Sequence, residues 1–169
     1  SQGLVTVRVC GACHYCCILP DIPAIGKPAG KVCTNLVCTD QASGVCNGCT
    51  IYKSRPLACN NFECLWKWSP VLNENMRPDR CNVMFEAYQQ ERVVIATTTR
   101  AGAWTEGSVK DLIFRILRDK YPVWIVENKD RHLLLPESVT KAQAEERTLQ
   151  LWNRVRRGSP KLYDRSVTG

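Results

Sequence analysis

Residues 10–17 read CGACHYCC and place four cysteines within eight positions. Ten of the eleven cysteines in this chain of 169 residues lie between Cys10 and Cys64. Pairs separated by two residues recur, and such a gap lets a tight turn aim both sulfurs at one metal ion about 2.3 Å away. The spacing therefore predicts that the N-terminal part of the chain folds around a metal centre.

A disulfide framework is the main alternative, because small secreted domains use dense cysteines as covalent cross-links. The odd cysteine total argues against it, and so does the N-terminal segment SQGLVTVRVCGAC, which lacks a basic start followed by a long apolar stretch. The lack of that secretory pattern predicts a cytoplasmic protein. Catalytic thiols are a third alternative, but a redox pair needs one thiol of low pKa and one resolving partner, and a cluster of ten thiols is a poor way to build it.

Residues 10–78 are punctuated by prolines and glycines and show no sustained strand or helix period. A segment of this kind buries little apolar surface, so we expect metal binding to supply its folding free energy. Within it, PDIPAIGKPAG at residues 20–30 is predicted to be an extended loop over the cluster. The negative charge of several thiolates also needs compensation, for which the nearby cations are Lys27, Lys31, Lys53 and Arg55.

The pattern changes after residue 78. Val109, Leu112, Ile113 and Ile116 follow the spacing of an amphipathic helix that begins at Ser108. A final helix is predicted to present Leu149, Trp152 and Val155 as its apolar face. The full predicted order is strand 82–88, strand 92–99, helix from 108, strand 123–127, strand 132–135 and helix 138–157.

This order predicts an α+β fold. A metal-organised, cysteine-rich lobe over residues 1–80 is expected to pack on a small antiparallel sheet with two helices over residues 81–169, the two parts forming one compact unit. No run of about 18 apolar residues is present, so no membrane span is predicted.

The net charge of +7 is spread over the chain, and neither half is a basic block. The densest basic stretch is Arg154, Arg156 and Arg157 at the end of the final predicted helix, where cations also favour the helix dipole. Nucleic-acid binding is therefore not favoured as the main function.

The quoted residues resemble the YkgJ-type cysteine-cluster family of bacterial proteins, which is described as zinc- or iron-chelating. The matching text is CGACHYCC at 10–17, KPAGKVC at 27–33, GCTIYKSRPLACNNFECLW at 48–66 and RPDR at 77–80. The resemblance implies metal ligation by Cys13, Cys16, Cys17, Cys33, Cys49 and Cys59, with Cys10 and Cys64 as their companions. Cys38, Cys46 and His14 are secondary candidates, and Cys81 lies apart from the cluster.

Thiolate ligands suit zinc and iron–sulfur clusters alike, and the sequence leaves the two open. The expected function is a metal-binding protein with a structural or accessory role, whose partners are metal ions and, as a further hypothesis, another protein. No catalytic motif is found, which favours a protein that is not an enzyme by itself. The alternatives are an enzyme or accessory of protein modification or redox chemistry, and a metalloprotein that binds nucleic acid.

Overall fold

The computed structural model describes residues 10, 13–40, 45–62 and 64–156. Its C-terminal part is a four-stranded sheet of β3 (Val83–Tyr88), β4 (Val93–Thr98), β5 (Val123–Glu127) and β6 (Asp130–Leu134), in that spatial order. The sheet carries α4 (Gly107–Arg118) and α5 (Lys141–Arg156). The N-terminal part contains the hairpin of β1 (Leu36–Asp40) and β2 (Val45–Cys49), and the short helices α1 (Leu57–Asn61), α2 (Leu65–Trp68) and α3 (Pro78–Cys81). Single 3-10 turns lie at Tyr15–Cys17, Pro23–Ile25, Tyr52–Ser54, Glu74–Met76 and Ala103–Thr105.

The predicted α+β class is confirmed, although the four-stranded sheet is mixed. Strands β3 and β4 pair antiparallel, as do β5 and β6, but β4 and β5 run parallel. Parallel neighbours need a crossover connection, and α4 supplies it between β4 and β5. The expected wholly antiparallel sheet is therefore wrong at this one junction.

One face of the sheet packs against α4. Val109, Leu112, Ile113 and Ile116 are all buried in the main core, as the periodicity predicted. The same core contains Leu65, Trp66, Leu72 and Met76, so the segment that follows the cysteine-rich region is anchored to the C-terminal sheet.

The other face of the sheet packs against α5, where Val155 is the one predicted residue that takes part in the contact. Leu149 and Trp152 are exposed, and Leu151 is fully buried against Tyr88 and Ile95. The Trp124 indole Nε1 donates a hydrogen bond to Thr148 Oγ1 at 2.9 Å. Thr148 therefore lies on the side of α5 that faces the sheet.

Residues 20–30 form a compact turn and not the predicted extended loop. Ile22 and Lys27 pair in both directions, with N–H···O distances of 2.8 and 3.1 Å, around the 3-10 turn at Pro23–Ile25. Gly26 closes this turn at a φ of 63°, in the left-handed region that glycine adopts without strain. Across the described residues, no helix is long and apolar enough to cross a membrane.

Candidate metal centre

The cysteine side chains that the structure describes are all free thiols. They comprise the eight primary predicted ligands, Cys10, Cys13, Cys16, Cys17, Cys33, Cys49, Cys59 and Cys64, together with Cys81. The backbones of Cys38 and Cys46 pair across β1 and β2, but their side chains lie outside the described residues. No disulfide joins any of the nine described thiols.

The 3-10 turn at Tyr15–Cys17 places two thiols side by side. The Cys16 thiol donates a hydrogen bond to the Cys17 sulfur, which lowers the pKa of Cys17 to about 6. His14 also lies beside Cys17, and the charges of His14 and Lys27 act in the same direction. The pKa of Cys16 is raised well above its ordinary value, because Cys16 is the donor of that hydrogen bond and its thiol is also partly shielded from solvent.

Cys16 also interacts electrostatically with Cys10 and Cys64, and Cys64 does so with Cys13 and Cys10. Burial raises the pKa values of Cys13 and Cys64 to about 11. Both sulfurs nevertheless accept backbone N–H groups, Cys13 from Tyr15 and Asp79, and Cys64 from Trp66 and Lys67. Such N–H groups favour a thiolate over a thiol.

A second group of thiols surrounds Cys59. Burial raises the pKa of Cys59, and the negative charges of Cys17, Cys33 and Cys49 raise it further. The backbone brings these residues together, since Cys33 N donates to Cys17 O at 3.0 Å and Cys49 is the register partner of Leu36, three residues beyond Cys33. Pro56 directly precedes α1, and its carbonyl accepts from Cys59 N at 2.9 Å, which fixes the turn that leads to Cys59.

Lys27 is the cation that the fold places next to this second group. It is only 5% exposed, and its Nζ donates to the carbonyls of Ile18 (2.8 Å), Pro20 (2.6 Å) and Pro28 (3.2 Å). Burial lowers the pKa of Lys27, while the charges of Cys33 and Cys17 raise it. Among the four predicted cations, Lys31 and Lys53 are instead exposed.

Arg55 lies beside the second group of thiols and binds the backbone of the 3-10 turn before it. Its Nε donates to Tyr52 O at 2.8 Å, and its guanidinium lies 3.7 Å from the centre of the Tyr52 ring. Its positive charge lowers the pKa of Cys59.

Asp79 is a neighbour of the cysteines that the sequence did not single out. The Cys13 thiol donates a hydrogen bond to the Asp79 carboxylate. Arg77 donates to the same carboxylate, from Nε to Oδ1 at 2.6 Å and from Nη2 to Oδ2 at 2.9 Å. Burial of Asp79 raises its pKa, but the Arg77 guanidinium outweighs this and keeps the pKa below its usual value. RPDR at 77–80 was part of the family resemblance, and that text was the available signal.

Cys81 has a different environment. Its Sγ donates to the carbonyls of Val83 (3.2 Å) and Met76 (3.5 Å), and burial raises its pKa. A buried thiol that donates to backbone carbonyls behaves as a packed side chain.

The cysteine sulfurs are chemically suited to a soft metal, but their side chains do not surround a common point. No three or more His, Cys, Asp or Glu side chains in the described ranges are arranged to hold a metal ion. Metal ligands are thiolates, and the burial that raises the pKa values of Cys13 and Cys64 to about 11 opposes loss of their protons. Metal binding would therefore require loss of thiol protons and rearrangement of side chains.

A groove of about 750 Å³ lies along α4, away from the cysteines. Phe114 and Leu135 line it together with Arg115, Arg118 and Glu137. Its lining contains no cysteine or histidine, so the groove brings no metal-binding or nucleophilic group to the candidate site.

Comparisons with known proteins found no match among family models, curated proteins or solved structures. The resemblance to YkgJ-type proteins therefore stays a prediction made from the sequence.

Proposed function

We propose that this chain is a metal-binding protein whose clustered cysteine thiolates hold zinc or an iron–sulfur cluster, and that this centre has a structural or accessory role. The observation that supports the proposal is that the N-terminal part has many neighbouring thiols but almost no apolar core. Eight free thiols there interact with one another through hydrogen bonds or charge. Among the side chains that the structure describes between residues 10 and 62, only Cys13, Ile22, Lys27 and Cys33 are buried.

The energetic balance supports a metal. Burying one isoleucine contributes about 2 kcal/mol. Fixing the backbone of a single residue costs about 1 kcal/mol or more. Ile22 alone therefore cannot order this segment, whereas a structural zinc site supplies about 10 kcal/mol or more of apparent binding free energy.

The test is the metal content of protein purified without oxygen. We expect the wild-type protein to contain zinc, or iron together with sulfide and a broad visible absorption band. Cys59→Ser should lose at least part of this metal, because Cys59 lies among three other thiols. Cys81→Ser is the matched control and should retain all of it, because its thiol donates to backbone carbonyls.

A wild-type protein that is folded and free of metal would refute the proposal. So would mass-spectrometric mapping of the eight thiols into disulfide pairs in native protein. Full metal retention in Cys59→Ser would remove Cys59 from the ligand set.

A further inference from the structure

Strand β6 lies at one edge of the four-stranded sheet. On one side it pairs with β5 over its whole length, from Asp130 to Leu134. In the described part of the chain, no strand and no backbone hydrogen bond occupies its other side. An open edge presents unpaired N–H and C=O groups, to which another extended chain can add.

Some side chains of β6 lie on the same face of the sheet as α4. Two residue pairs set this orientation, His132 with Ile125 and Leu134 with Val123. Directly paired residues of antiparallel strands point to the same face of a sheet. Since both β5 residues are buried in the core that includes α4, both β6 residues lie on that face.

A cavity of about 220 Å³ lies on this face, lined by β6, by α4 and by the 3-10 turn at Ala103–Thr105. The ring centres of His132 and Trp104 are 6.4 Å apart, so the open edge of the sheet is close to the cavity. Cavities that hold small-molecule ligands are usually larger, roughly 300–1,000 Å³. This one is better matched to a single large side chain. The apolar residues of its wall are Trp104, Ile113, Phe114, Leu117 and Leu134.

The groove of about 750 Å³ along α4 adjoins this cavity, because Phe114 and Leu117 line both. Phe114 is 58% exposed and therefore accessible to a partner. Neither Arg115 nor Arg118 forms an ion pair with a carboxylate in the described ranges. The cavity and groove are thus complementary to a chain that is apolar and negatively charged. Their charged lining residues are four cations, Lys110, Arg115, Arg118 and Lys120, and two carboxylates, Asp111 and Glu137.

We propose that the open edge of β6, the cavity and the groove together bind an extended, acidic segment of a partner protein, which adds to the sheet as a fifth strand. The backbone of the added strand pairs with β6. Side chains alternate between the two faces of a sheet, so every second side chain of the segment lies on the α4 side. A large apolar side chain fills the cavity beside Phe114 and Leu134, and acidic side chains pair with Arg115 and Arg118.

Single-stranded nucleic acid is the other kind of partner that basic and aromatic residues can bind together. Such binding needs aromatic faces that are open for base stacking. Trp104 is only partly exposed, and its ring is already stacked on His132. The two carboxylates of the lining also oppose a phosphate backbone. The observations therefore favour the peptide segment.

The first experiment selects peptides from a random library displayed on phage, with the full-length protein, purified without oxygen, as the target. Phe114→Asp serves for counter-selection, because Phe114 is exposed and its replacement should leave the fold intact by circular dichroism. We expect enriched peptides to combine alternating apolar residues with Asp or Glu. Failure to enrich any peptide that distinguishes wild type from a folded Phe114→Asp, or enrichment of basic peptides, would overturn the inference.

Fluorescence anisotropy of one selected peptide then measures its affinity for two charge-reversed variants. Arg118→Glu should weaken binding by about tenfold or more, because like charges then face each other. Lys141→Glu is the matched control, since Lys141 is exposed on α5, across the sheet from the groove, and it should change the affinity by less than about twofold. Equal affinities of the two variants would contradict the charged contact.

Hydrogen exchange tests the strand addition itself. Binding of the selected peptide should slow amide exchange in β6, because its outward N–H groups become hydrogen-bonded. Unchanged exchange in β6 with the peptide bound would overturn the assignment of a fifth strand. A short single-stranded DNA that displaces the peptide and binds more tightly would overturn it too, by assigning the groove to nucleic acid.

Discussion

Glu86 on β3 shows how one side chain can make stability depend on pH. Burial raises the pKa of Glu86 to about 7, from an ordinary value of 4.5. The Tyr88 hydroxyl donates to Glu86 Oε2 at 3.0 Å but does not cancel the cost of burial. The folded protein therefore binds the Glu86 proton more tightly than the unfolded chain does.

This difference in proton affinity decides whether stability rises or falls with pH. Glu86 costs the folded state nothing below about pH 4.5, and its cost grows between about pH 4.5 and pH 7 and is constant above. Since one pKa unit corresponds to about 1.4 kcal/mol, the full cost is roughly 3 kcal/mol. The ionisation of Glu86 therefore lowers the free energy of unfolding as the pH rises through this range.

We predict that Glu86→Gln raises the free energy of unfolding, by roughly 2 kcal/mol more at about pH 8 than at about pH 5. Urea unfolding of wild type and variant at both pH values measures this difference, and the cysteines cancel because both proteins share them. An equal effect of the substitution at the two pH values would show that Glu86 titrates normally.

The sequence could predict residues of the candidate site only where they lie close together along the chain. Cys10, Cys13 and Cys16 stand out as candidate metal ligands by their spacing. Asp79 does not, because its contact with Cys13 exists only once α3 has approached the 3-10 turn at Tyr15–Cys17. No local pattern in the chain encodes that approach.

At the scale of elements, α5 is held to the sheet by a charged contact as well as by Leu151. Glu91 is 6% exposed, and both of its carboxylate oxygens accept from the Arg154 guanidinium, one of them at 2.8 Å from Nη2. Removing one partner of a buried ion pair leaves the other charge without compensation. The C-terminal end of α5 thus depends on Arg154.

We predict that Arg154→Ala lowers the free energy of unfolding by about 3 kcal/mol. Lys141→Ala is the matched control on the same helix, because Lys141 makes only an exposed contact of 3.7 Å with Glu145. That control should cost less than about 0.5 kcal/mol. Urea unfolding measures both, and similar losses in the two variants would refute the structural role of Arg154.

Helices and strands with a regular spacing of apolar residues were predictable from the sequence, whereas those whose position depends on contacts with other elements were not. Four apolar residues of α4 share its buried face, so periodicity located the helix even though Phe114 is exposed. In α5 the large Leu149 and Trp152 suggested the wrong face, because the contacts are made by Leu151 and by the small Thr148 beneath Trp124. Of the predicted face only Val155 packs there. The hairpin of β1 and β2 has no apolar alternation and was missed.

For the whole molecule, the two parts of the chain are stabilised by different means. The main core joins residues from Leu65 to Ile125 and includes both the sheet and α4. Among the side chains that are described in the segment before it, a single aliphatic one, Ile22, is buried. If thiolate–metal bonds replace a core there, the two parts should respond differently to loss of metal.

We predict that reduction and chelation unfold the N-terminal lobe and leave the sheet folded. Hydrogen exchange should accelerate to nearly unprotected rates at Cys33 and Ile22, whose N–H groups donate within the lobe at 3.0 and 2.8 Å. The amides of Val94 and Ile95 should stay protected, because β4 is central in the sheet. Returning zinc, or iron with sulfide, should restore protection in the lobe alone. Protection at Cys33 that survives complete metal removal would show that the lobe folds by packing, and loss at Ile95 would show that the two parts unfold as one unit.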